Sequence, residues 1–205
     1  VDFFSDFYKK SKITKEDLFY YAYAVLHLKD YRDLFQNNFS KELPKIPLVK
    51  KLDNFKFFVK AGRRLGYLHT NYENIEPFNV KFNSGNENFK NVTDPKNFFK
   101  IKQMVFAGTK PNLDKSTVIY NKNITISNIP LEAYKYIVNG KSALEWVMER
   151  QCITKDRVSG ITNDANDYAN ETMKNPSYPL ELFQRIITVS LETMKIIKTF
   201  PKLEI

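Results

Sequence analysis

Apolar side chains along the first third of the chain fall at helical spacing. Leu18, Tyr21, Ala22, Val25 and Leu28 make one stripe, which Phe19, Tyr23 and Leu26 broaden, so a largely buried helix is predicted here. Its start is marked by Thr14 with Asp17 three residues on, the spacing at which a capping hydroxyl and an acidic side chain satisfy each other's backbone N–H groups. Asp30 caps a second, shorter helix through Tyr31, Leu34 and Phe35, fading at Asn37 and Asn38. The following Glu42-Leu43-Pro44-Lys45-Ile46-Pro47 has to be extended, because each proline drives its predecessor out of helical space. A third helix is predicted over residues 55–71, with Phe58, Gly62, Leu65 and His69 along one line. Gly62 and Gly66, four apart on it, let another element come close. At the far end, residues 180–200 are polar on only one narrow side, the pattern of a core helix.

Between these helices the period changes. Phe78, Val80 and Phe82 alternate with polar residues and predict a strand. Strand patterns return at residues 100–106 and 116–120, on either side of a turn-rich segment at 108–112, and again at 124–129. Pro130 ends that last run, since proline has no N–H to give a ladder. Residues 131–138 then read as a short helix closed by Gly140 in a left-handed cap, and Ser142 with Glu145 reads as the capping box of another. Residues 83–86 and 159–167 read as loops. Residues 1–12 mix aromatics and lysines without a period and read as a linker or tail, leaving 13–205 as a single domain. The fold class that follows is α+β, with helices packed around a small, mainly antiparallel sheet drawn from residues 78–129.

Composition supports a folded chain with an anionic partner. A 42% apolar and 15% aromatic content over 205 residues is enough for a good-sized core. The net charge of +9 favours nucleic acid first, and residues 41–64 alone carry six Lys and two Arg against Glu42 and Asp53. A competing account is genomic: 26 of the 32 basic residues are Lys, in a chain rich in Asn, Phe, Tyr and Ile, which a low-GC genome gives to any protein. The single Cys152 excludes an internal disulfide and fits a reducing compartment. With no apolar run of membrane-spanning length and no signal-peptide pattern, a cytoplasmic location and no membrane partner are expected.

Catalytic motifs fail on inspection. Gly140-Lys141-Ser142 resembles the end of a phosphate-binding loop, but the glycine needed five positions before Gly140 is Lys135. Asn175-Pro176-Ser177-Tyr178 resembles the loop with which adenine methyltransferases hold a flipped base, yet no two glycines stand two apart to build the companion cofactor turn. His27 and His69 lie on apolar helical lines, where core or boundary histidines outnumber ligands. No Glu-x-Lys pair and no Gly-x-Ser-x-Gly elbow occur. A non-catalytic chain with no cofactor of its own is expected. What remains is binding chemistry: Lys and Arg for phosphates, Asn for adenine and Arg for guanine edges. The candidates are Arg63, Arg64, Lys110, Lys115, Tyr120, Asn121, Lys122, Asn123, Lys141, Arg150, Lys155 and Arg157.

Four ordered blocks carry a family resemblance across nearly the whole chain. They are Ile13-Thr14 through Phe19 to His27 with Tyr31-Arg32 and Leu43 to Pro47; Ala61 to Leu65 with Leu68-His69 and Asn71 to Glu73; Asp114 to Ser116 and Tyr120-Asn121 through Ile129 to Tyr134 and on to Trp146 and Arg150; and Ser159 to Ile161 with Asn163-Asp164, then residues 182–196. Together they resemble the C-terminal specificity, or target recognition, domain of single-polypeptide Type I-like (Type ISP) restriction-modification enzymes. The resemblance implies a module that reads a sequence in double-stranded DNA while nuclease, helicase-type ATPase and adenine methyltransferase parts elsewhere in the polypeptide do the chemistry. It implies S-adenosylmethionine, ATP and Mg for the parent enzyme, and the methyltransferase domain as a second partner. One rival is a docking module for that neighbour without base readout, which an exposed aromatic face on Tyr20, Tyr21 or Tyr23 would favour. Another is a nucleotide-acting fragment with a phosphate pocket at residues 140–142.

Overall fold

The structure is a computed structural model that describes residues 2–9, 11–35, 43–83, 89 and 91–204. Residues 13–205, expected as one domain, cluster into two compact units: residues 1–71 with 195–205, and residues 72–194. The fade of the second helix at Asn37 and Asn38, and most of the 83–86 loop, lie outside the described residues.

The first unit contains α1 (Asp2–Phe7), α2 (Lys15–His27), α3 (Lys29–Phe35) and α4 (Leu52–Thr70). Part of the expected tail is thus helical, and Tyr8 just after it is buried. The capping box forms as read: Thr14 Oγ1 accepts from Asp17 N at 3.1 Å, and Asp17 Oδ2 accepts from Thr14 N at 2.9 Å. α2 and α4 pack in direct backbone contact at Gly62, where an added Cβ would sit 1.9 Å from the Tyr20 carbonyl oxygen. The proline-bearing segment is extended, and its main chain is satisfied by buried phenols. Tyr21 donates to Pro47 O at 2.6 Å and accepts from Val49 N at 3.1 Å, while Tyr8 and Tyr31 donate to Val49 O and Lys45 O. Tyr21, Val25, Tyr31, Val49, Phe55 and Phe58 form the core around it.

In the second unit β1 (Lys81–Phe82), α5 (Pro95–Phe98), β2 (Val105–Thr109), β3 (Asn112–Ile119) and β4 (Thr125–Ser127) come first. The sheet has the order β1-β4-β3-β2 and is antiparallel throughout, as expected. Two strands are shorter than the alternation predicted: β1 is two residues long, and the 100–106 pattern yields a strand only from Val105. A 3₁₀ turn (Leu131–Lys135) leads to β5 (Ile137–Val138), β6 (Lys141–Ser142) and α6 (Ala143–Arg150). Here the expected helix over 131–138 is corrected. Asn139 and Gly140 both have positive φ, +48° and +84°, so they form a two-residue hairpin turn rather than a helix cap.

The unit finishes with β7 (Ile153–Lys155), β8 (Thr162–Asp164), α7 (Ala165–Asp167), a π-helical turn over Tyr168–Thr172 and α8 (Tyr178–Lys198). The expected loop at 159–167 is therefore partly a strand, pairing antiparallel with β7. Val118, Tyr120, Ile124 and Ile126 from the sheet meet Leu144 of α6 and Leu180, Phe183 and Ile187 of α8 in one core. Residues 195–198 of α8 belong to the first unit. Among the described residues no helix is long and apolar enough to cross a membrane.

Candidate nucleic-acid interface

The segment that follows β3 turns sharply, and side-chain amides hold it there. Asn121 Nδ2 donates to Phe98 O at 2.9 Å and to Lys100 O at 3.0 Å, while its Oδ1 accepts from Asn123 N and Ile124 N at 2.8 and 2.9 Å. Asn123 Nδ2 donates to Phe98 O at 3.1 Å. Below them Tyr120 is fully buried and donates to Phe99 O at 2.8 Å. The segment 98–102 is gripped by other residues as well. Buried Asn166 accepts from Ile101 N and donates to Ile101 O, both at 2.8 Å, and Ile153 N donates to Lys102 O at 3.0 Å.

The clamps leave an open cleft of about 570 Å³ with Ile101 and Ile153 among its lining residues. Lys100, Lys102 and Lys122 surround it with Gln103, Asn121 and Asn123. A second hollow of about 460 Å³ shares Asn97, Lys122 and Asn123 and continues to Asp94. That carboxylate is engaged at the start of α5, where Asn97 donates to it through its amide and its backbone, which holds Asp94 below the usual carboxylate range. Among the described residues, none of Lys100, Lys102 and Lys122 has a carboxylate within ion-pair distance. An open, cationic cleft of this kind suits a phosphate backbone.

Of the residues singled out in the sequence, Asn121, Lys122 and Asn123 line this cleft. Lys155 is exposed on β7, which Ile153 ties to the cleft wall, and Arg157 is exposed in the turn beyond it. Tyr120 is corrected: the phenol is a core group whose burial pushes its pKa well up; the Asn121 and Asn123 amides, though on the cleft wall, spend their N–H groups on the backbone. Four other cations already have partners. Lys115 pairs with Glu145 at 3.0 Å and lies over the Phe106 and Tyr134 rings. Lys141 pairs with Glu149 and shares the Trp146 ring with Arg150, at 5.0 and 5.5 Å from its centroid. Arg63, in the first unit, bonds Glu16 at 2.8 Å and Asp17 at 2.9 Å over the Tyr20 ring. Arg64 is exposed beside Tyr67, and Lys110 is exposed at the β2–β3 turn. Lys100, Lys102, Gln103 and Asn166 were missed. Lys100 and Lys102 carried a signal, since they flank buried Ile101 in an alternating run.

The rival features are used structurally. Ser142 and Glu145 close the α6 capping box; burial would raise the Glu145 pKa, but hydrogen bonds from Ser142 and Lys115 outweigh it and lower it. Asn175 Oδ1 accepts from Ser177 N and Oγ, bending the chain into α8. In the first unit Tyr23 links the two histidines: its hydroxyl pairs with His69 Nδ1 and its carbonyl with His27 Nδ1, both at 2.7 Å. Burial, then the facing His27, hold the His69 pKa down at about 4. Of the aromatics named for docking, Tyr21 is buried and Tyr20 and Tyr23 are half-buried.

Comparison with known proteins adds the family context. The model of the Type ISP C-terminal specificity domain matches residues 1–182. A structure of a nuclease-deletion mutant of the Type ISP restriction-modification enzyme LlaGI, in complex with a DNA substrate mimic, is 38% identical with a TM-score of 0.77, over 94% of this chain and 14% of that one. The ATP-dependent Type ISP restriction-modification enzyme LlaBIII bound to DNA is 34% identical with a TM-score of 0.78, over 95% of this chain and 12% of that one. A DrdV–DNA complex is 27% identical with a TM-score of 0.77, over all of this chain and 20% of that one. The chain thus spans no more than a fifth of the solved polypeptides it matches here. No curated protein matches it significantly.

Proposed function

Because the chain belongs to the family of Type ISP C-terminal specificity domains, we propose that it reads a specific sequence in duplex DNA on behalf of a restriction-modification enzyme. The observation that carries this reading is the cleft of the second unit, where three lysines with no carboxylate partner among the described residues meet Gln103 beside the β7–β8 hairpin. Lysines hold phosphates and set register, while Gln103 and the hairpin side chains face base edges. The complexes of LlaGI, LlaBIII and DrdV with DNA support the same partner. In this reading the chain has no catalytic residue and works in the cytoplasm. Nuclease, ATPase and adenine methyltransferase parts sit elsewhere in the polypeptide and use Mg, ATP and S-adenosylmethionine, the methyltransferase taking the target base out of the stack once the site is read.

The test is an anisotropy titration of the full-length protein against a fluorescent random-sequence duplex at several salt concentrations, followed by selection from a random pool. Log affinity should fall linearly with log salt, and selection should converge on one sequence. Absence of binding at low salt, or a pool that stays random, would refute the proposal.

A further inference from the structure

The β7–β8 hairpin ends in side chains that the fold does not use. Val158 at its tip is 98% exposed, the most exposed large apolar residue among those described, and Ile161 is 60% exposed. The tip is nonetheless well braced. Asp156 Oδ1 accepts from Val158 N at 3.1 Å, from Ser159 N at 2.7 Å and from Ser159 Oγ at 2.8 Å. Across the turn Gly160 N donates to Asp156 O at 3.0 Å and Asp156 N to Ile161 O at 2.9 Å, with Gly160 at a φ of +73°. A turn held by five hydrogen bonds that points an isopropyl group at water is preorganised toward something outside the chain. Lys155 and Arg157, both exposed and neither in an ion pair among the described residues, flank the carboxylate that braces it.

This inference rests on the proposed reading of DNA and goes further. A two-stranded ribbon fits the major groove, about 12 Å wide, and is too broad for a minor groove of about 6 Å. In the major groove the apolar feature on offer is the thymine C5-methyl, and a small branched side chain is suited to meet it. We infer that Val158 is a specificity-determining residue that packs on the methyl of one thymine in the target, with Lys155 and Arg157 holding the flanking phosphates. The cleft lysines supply affinity for any sequence, and the hairpin tip selects one base.

The experiment starts from the duplex that the full-length protein selects from a random pool and replaces each thymine in turn by deoxyuridine, which pairs identically but lacks the methyl. One replacement should weaken binding about 4-fold, the worth of one buried methyl. For Val158→Ser, thymine and deoxyuridine at that position should bind equally, with the same salt dependence as the wild type and an unchanged circular dichroism spectrum. A selected site without thymine, a wild type indifferent to every deoxyuridine, or a Val158→Ser variant that keeps the preference would overturn the assignment while leaving DNA reading intact. Failure to select any sequence would overturn both.

Discussion

Replacing Lys100, Lys102 and Lys122 together by Ala tests where the phosphates lie. Each lysine that neutralises a phosphate contributes about 0.9 to the slope of log affinity against log salt, so removing three should flatten it by about 2.7. Between 50 and 200 mM salt that difference amounts to about 40-fold in how far affinity falls. The three side chains are chosen because they line one cleft and have no carboxylate partner among the described residues. Lys141→Ala is the control: its ammonium already pairs with Glu149 and shares the Trp146 ring, so the slope should move by less than about 1. Anisotropy titrations of the full-length protein over that salt range read both numbers. A triple variant with the wild-type slope, or a control that flattens it as much as the cleft lysines do, would refute the assignment of the phosphate track to this cleft.

Two further outcomes concern the first unit. Gly62→Ala adds a methyl 1.9 Å from a main-chain oxygen of α2, so the helices must separate; overpacking of about 3 kcal/mol should exceed the roughly 1 kcal/mol of helix propensity gained. Urea unfolding should show a net loss of about 2 kcal/mol, and a variant as stable as the wild type would remove the close contact. His69 supplies a pH dependence: its folded pKa of about 4 lies below the unfolded value near 6.5, because burial and then His27 oppose the imidazolium. The unfolded chain therefore binds more protons in that window, and stability present above about pH 6.5 is lost as the pH falls towards 4. Discounted for partial exposure, the loss should be about 1–2 kcal/mol. Unfolding at pH 7 and pH 5 should show a smaller drop for His69→Gln, and equal drops would contradict the assignment.

Elements whose pattern is local and strongly periodic were legible in the sequence. The two capping boxes, at Thr14 and Ser142, form at the predicted positions because both partners lie within one helical turn. The glycines at 62 and 66 announced a close approach, since absence of a Cβ is visible without knowing what comes near. Asn139-Gly140 was misread because the same φ > 0 preference serves a helix cap and a hairpin turn, and only the partner strand separates the two. β8 was missed for a related reason: Thr162–Asp164 has no apolar face to bury, and its strand character comes entirely from pairing with β7. At the site, residue type misled. Asparagine suggested adenine, but Asn121 and Asn123 have carbonyls 21 to 25 residues away within reach, a proximity that no local pattern encodes.

That arrangement separates what holds the cleft from what lines it, and a last prediction follows. The clamping amides of Asn121, Asn123 and Asn166 bind main-chain atoms of Phe98, Lys100 and Ile101, so the wall keeps its course whatever side chains it carries. Asn166→Ala removes three side-chain hydrogen bonds, one to Asp164 and two to Ile101, and leaves the buried Ile101 N–H and C=O unsatisfied, which should cost about 2–4 kcal/mol. Lys100→Gln or Lys102→Gln, exposed and without an ion-pair partner among the described residues, should stay within about 0.5 kcal/mol of the wild type while changing affinity for DNA. Urea unfolding of the three variants, run beside their DNA titrations, checks the separation directly. If the lysine variants lose stability as Asn166→Ala does, the cleft is a packed part of the fold and not a surface free to change. If they do not, a specificity domain can exchange its DNA-contacting residues in this cleft without refolding, because its scaffold holds the backbone beneath them.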